Sequence, residues 1–89
     1  MTILEPKDPN AVVDYQIDWS EWLGTDTIAT STWVVSAGIT NVTDSHTNTG
    51  TTIWLSGGTD GTAYDLTNHI TTAGGRQEDR TITVPVANK

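Results

Sequence analysis

From Val13 the chain alternates cleanly. Val13, Tyr15, Ile17 and Trp19 share one parity, and Asp14, Gln16, Asp18 and Ser20 the other. That period of two predicts a strand with one face on a core and one in water. In Trp19-Ser20-Glu21-Trp22-Leu23 apolar residues then fall three and four apart, which predicts one helical or 3₁₀ turn capping an end of the fold. Residues 27–35 are rich in β-branched side chains and carry Trp33, but Ile28 and Trp33 differ in parity, so a bulge between them or an outward side chain is expected. Residues 38–43 predict a weak strand around Ile39 and Val42, and the polar residues 45–50 a loop or an edge. In residues 51–56, Ile53 and Leu55 face one way and Trp54 the other. Tyr64, Leu66, Asn68 and Ile70 alternate with Asp65, Thr67 and His69. After a hairpin turn in residues 72–78, the last strand, residues 80–86, turns Ile82, Val84 and Val86 inward. Pro85 cannot donate to a ladder and belongs at an edge or a strand end.

No apolar stripe of helical period runs through the chain, whereas Gly-containing turn signals recur between short strands. The prediction is an all-β fold, an antiparallel β-sandwich of about seven short strands. Gly61-Thr62-Ala63-Tyr64 enters a strand after a Gly-rich loop and resembles the tyrosine corner of immunoglobulin-like and fibronectin-type sandwiches, in which a Tyr hydroxyl ties back to upstream backbone. Residues 1–10 contain Pro6 and Pro9 and no period, so they are expected to form an extended N-terminal arm, with the sandwich over residues 11–89.

The chain has 89 residues, which fits one domain, and no Cys, which excludes a disulfide staple and a thiolate zinc site. A domain this small has a thin core, so association with other chains is an expected source of extra stability. Four basic against eleven acidic residues, a formal net charge of −7, argue against nucleic acid as a partner. No apolar run approaches a membrane span, and the N-terminus does not read as a secretory signal, so a soluble product made in the cytoplasm is expected. His46 and His69 do not pair at a metal-ligand spacing. Asp14, Asp18, Glu21 and Asp26 form no calcium-loop pattern and read mainly as solvent-facing side chains. The Gly57–Gly61 segment lacks the Lys of a phosphate loop, and no nucleophile elbow is present. No catalytic, metal or cofactor-binding residue is therefore expected, and the chain is read as no enzyme.

The four tryptophans, Trp19, Trp22, Trp33 and Trp54, are unusual for so short a chain that lacks Phe. Trp is enriched at interface hot spots. Trp22 and Trp54 are candidates to face away from the core, and Ile3 and Leu4 are candidates to anchor the arm on a neighbour, so these four are the candidate protein-interface residues.

The segments Trp19-Ser20-Glu21-Trp22-Leu23-Gly24 and Leu55-Ser56-Gly57-Gly58-Thr59, followed by Gly61-Thr62 and Tyr64, carry a further resemblance that spans residues 7–86. The chain is similar to small tailed-bacteriophage virion proteins of the fiber–tail adaptor type. The resemblance implies a structural protein in the virion, made in the bacterial host, docking to other virion subunits (tail, fiber, connector or capsid) in many copies of a symmetric assembly. Decoration of the phage capsid is the alternative within that class. A carbohydrate-binding module is the rival outside it; its mark would be tryptophans on one exposed sheet face, flanked by Asn and Asp.

Overall fold

The computed structural model describes residues 2–3 and 6–88; of Thr2 and Ile3 only the backbone is described. Seven strands and one helical turn follow in order: β1 (Thr2–Ile3), β2 (Val13–Asp18), α1 (Ser20–Leu23), β3 (Ile28–Val35), β4 (Ile39–His46), β5 (Gly50–Gly57), β6 (Ala63–Thr72) and β7 (Gln77–Pro85). The fold is all-β. One antiparallel sheet has the order β2-β5-β4; the other has β7-β6-β3, with β1 added in parallel outside β7.

β2, β5 and β6 bury the parity that their sequence sets, whereas in β7 Thr83 is buried along with Ile82 and Val84. In β2, Ile17 is buried and Asp14, Gln16 and Asp18 are exposed. In β5, Ile53 and Leu55 are buried and Trp54 is exposed, and in β6 Tyr64, Leu66, Asn68 and Ile70 are buried. These side chains meet Ile28, Ile39, Ile82, Val84 and Val86 between the sheets, and Trp19 and Leu23 close one end from the corner around α1. The parity conflict of Ile28 and Trp33 is resolved by a register shift between Ile28 and Thr30.

Tyr64 makes the expected corner: its hydroxyl accepts the Thr59 N–H at 2.9 Å. Two glycines give it room. A Cβ on Gly38 would lie 3.1 Å from the Tyr64 ring, and one on Gly58 would lie 2.8 Å from Val86 Cγ2. Both glycines also have positive φ, a conformation other residues adopt only at a cost.

The polar centre of the core is Asn68. Its Oδ1 accepts from Trp19 Nε1 at 3.0 Å and from Thr51 Oγ1 at 2.7 Å. Its Nδ2 donates to Ser31 Oγ and to the Thr32 carbonyl, both at 2.9 Å. One amide thus joins β3, β5, β6 and the start of α1 across both sheets.

The segment read as an arm lies, in its described part, along the sandwich. Thr2 and Ile3 pair with Ile82 and Thr83 of β7. Lys7 forms a parallel bridge to Val86, its N–H donating to Pro85 O, while the Ala87 N–H donates to Lys7 O. The Lys7 side chain is only 1% exposed, and its Nζ donates to the carbonyls of Gly57 and Asp8 at 2.8 Å each. Burial lowers the Lys7 pKa, and the nearby Asp8 opposes that shift. Two polar stretches are more regular than expected, since β4 continues to His46 and β7 begins at Gln77.

A buried group left without its hydrogen bond costs about 1–3 kcal/mol. Asn68→Ala strands the Trp19 N–H, the Thr51 hydroxyl and the Thr32 carbonyl together, and is expected to cost about 3–5 kcal/mol, a large part of a typical 5–15 kcal/mol. Thr51→Val removes one donor with little change of shape and is expected to cost about 1 kcal/mol. Urea midpoints measure both. Equal losses would contradict the central role of the amide.

Candidate functional site

The alternation that fills the core leaves its opposite parity on the outer face of the β2-β5-β4 sheet. Trp54 stands there, 40% exposed, with Asp14 of β2 opposite on one side and Thr43 of β4 on the other. The register shift between Asn41 and Thr43 leaves Val42 unpaired at this point and 53% exposed. Val12, one residue before β2, has the parity of Asp14 and is 58% exposed. The face therefore carries an apolar group of Val12, Trp54 and Val42 among Asp14, Gln16, Thr43 and Thr52. Further along it opens a hollow of about 480 Å³ lined by Gln16, Asp18, Thr47, Thr49 and Thr52.

Trp22 is placed differently. It packs half-buried against the core, edge-on to Trp19 with ring centroids 5.6 Å apart, and the Arg76 guanidinium lies 4.4 Å from its ring. Arg80 stacks in the same way 4.2 Å from the ring of Trp19. Such pairs carry cation–π attraction. Arg76 also donates to Asp26 Oδ2 and to the Leu23 carbonyl, so it holds α1 against the turn before β7. Of the other two expected interface residues, Leu4 and the side chain of Ile3 lie outside the described residues.

These arginines and Lys7 decide the sign of the surface. Apart from Lys89, which lies outside the described residues, they are the only basic side chains in the sequence. Lys7 is buried and both arginines are committed to tryptophan rings. Carboxylates therefore outnumber the accessible cations among the described residues, and Asp14 and Asp18 lie on the Trp54 face.

Of the four tryptophans only Trp54 is exposed, so the row of exposed rings that would mark a carbohydrate-binding module is not present. His69 is paired with Asp79 on the outer face of the other sheet, away from His46 on β4. Among the described residues no group of three or more His, Asp or Glu is placed to hold a metal ion, and no helix is long and apolar enough to cross a membrane.

A known family profile matches residues 7–85 of the 89-residue chain. The chain belongs to the podophage GP4 fiber-tail adaptor protein gp77 family. A comparison with curated proteins returned no match. Gp77 is thus a family of phage tail structural adaptors, and its span begins at the buried Lys7 and takes in every strand from β2 to β7.

Asp26 supplies a pH test of the α1 clasp. The Thr72 hydroxyl above all, then the Thr27 and Gly74 N–H groups and Arg76, hold its pKa at about 2, below the ordinary 3.8. A carboxylate with a depressed pKa contributes stability that is complete above its ordinary pKa and is lost as pH falls through the lowered one. Asp26→Asn is therefore expected to melt lower than the parent at pH 7, with the gap closing between about pH 4 and pH 2. Melting curves across that range check it; a gap that stays constant to pH 2 would rule out the ionised clasp.

Proposed function

We propose that this chain is a non-enzymatic structural adaptor of a phage virion that docks tail fibers or other tail parts through the Trp54 face of its β2-β5-β4 sheet. Membership of the gp77 family carries the reading, and the family description favours the tail over decoration of the capsid. The exposed Trp54, flanked by Val42 and Val12, supplies the kind of aromatic anchor that dominates interface energies. The acidic surface around it suits a virion subunit that presents basic side chains, and complementary charge favours the right partner and speeds encounter.

The same reading takes the domain as an immunoglobulin-like module. The three-strand orders β2-β5-β4 and β3-β6-β7, and the tie of Tyr64 to backbone upstream, support it. Residues 1–10 enter as an N-terminal arm to the sandwich of residues 11–89, with β1 the short strand by which the arm follows β7. Many copies in a closed ring would need only two complementary patches on each.

Competition for incorporation tests the face. Trp54→Ala is expected to keep its melting midpoint within about 3 °C, since surface substitutions usually stay within about 0.5 kcal/mol. Offered together with the parent chain during assembly, it should be at least tenfold under-represented in particles. Equal incorporation of the two would remove the Trp54 face from the interface.

A further inference from the structure

A sheet edge left open is a template for another chain, and folded proteins normally blunt it with charge, proline, a bulge or a cover. Beside β1, which lies outside β7, the described sheets end in three outer strands, β2, β4 and β3. β7 is covered by β1 and by the bridge from Lys7 to Val86. β2 carries Asp14 and Asp18 and runs into α1. β4 carries Asp44 and His46 and is broken by the bulge at Val42. β3 has none of these over most of its length. Its sequence, Ile28-Ala29-Thr30-Ser31-Thr32-Trp33-Val34-Val35, holds no charge and no proline, and after the shift at its start the register runs unbroken from Thr30 to Val35.

The free backbone groups on that edge can be assigned. Ser36 donates its N–H to Asp65 O in line with the β3–β6 ladder. Antiparallel pairing alternates, so Val34 and Thr32 also spend their backbone groups on β6. Those of Ser31, Trp33 and Val35 point to the open side. Val34, beside this edge, is 69% exposed, the most exposed of the large apolar side chains described.

We infer that the β3 edge is a second docking site, which takes an extended strand from another virion subunit into the β7-β6-β3 sheet. The inference rests on the adaptor reading and gives it the second surface that an adaptor needs. Main-chain hydrogen bonds to Ser31, Trp33 and Val35 supply the affinity of such strand addition, and side-chain pockets its specificity. Charge selects the occupant. A second copy of this chain would bring another −7 to the contact, whereas a β-branched strand flanked by Lys or Arg meets an acidic neighbour at a neutral edge.

The absence of Cys from the sequence makes the test specific. Val34→Cys in the full chain places one thiol beside the edge, and Thr62→Cys, in the exposed loop before β6, serves as the control. Both thiols are expected to react with a maleimide in the free protein. In assembled particles the thiol from Val34→Cys should react at least tenfold more slowly and cross-link to an extended peptide of another virion protein, identified by mass spectrometry. A second variant, Val34→Lys, should melt as the parent does and incorporate at least tenfold less well. A cross-link to another copy of this chain would overturn the proposed occupant. Full reactivity at position 34 in particles that contain the protein, or normal incorporation of Val34→Lys, would overturn the edge site and leave the adaptor reading standing. If the parent chain itself fails to incorporate, the adaptor reading falls and the edge site falls with it.

Discussion

The two sheets are held in register by one buried amide. Asn68 makes four hydrogen bonds, two accepted and two donated, with partners on β3, on β5 and at the start of α1. A polar group at the centre of a thin core is costly unless it is satisfied, because the low local dielectric strengthens made bonds and penalises missing ones alike. Here every partner position is specified. Slipping β6 by one residue would turn Asn68 outward and leave the Trp19 N–H and the Thr51 hydroxyl buried without acceptors. The apolar side chains drive the sheets together, and the amide restricts how they meet.

That arrangement fixes the position of Trp19, and Trp19 organises one end of the molecule. Its ring supports Trp22 edge-on and carries Arg80 on its face, while Arg76 covers Trp22 and reaches the end of α1. At the other end Lys7 bonds to Gly57 O, next to the loop whose backbone ties to Tyr64. The three described basic side chains thus serve the fold. Internal packing thus occupies much of the basic side-chain complement and leaves the described surface with an acidic excess.

The strands with one wet and one dry face were legible. Period two placed Tyr64, Leu66, Asn68 and Ile70 inward and Trp54 outward, and the parity conflict of Ile28 with Trp33 pointed to a bulge or an outward side chain, of which the structure has the register shift. Edge strands were harder. The β4 residues Ser45 and His46 are exposed, so their side chains show no alternation and read as a loop or an edge, although the backbone is paired to β5. The buried Lys7 could not be seen, because lysine is rarely buried and its acceptors, the Gly57 and Asp8 carbonyls, carry no sequence signal. Of the candidate interface, Trp54 was visible from its parity. Val34 was not, because only the strand order shows that β3 is an edge.

Size then constrains how such a domain can act as an adaptor. A stable interface covers roughly 800 Å² on each partner, and this molecule exposes 4986 Å² in all. Two such contacts, one on a sheet face and one on an edge, would take about a third of its surface. In the proposed assembly, features that are liabilities in a free monomer, an exposed tryptophan and an uncharged edge, would be covered. Burial there also adds to folding stability, because a partner that binds only the folded form shifts the unfolding equilibrium by mass action. On the proposed adaptor role a thin core held by one amide is sufficient, because neighbours in the particle would supply the apolar burial that the chain's own length cannot.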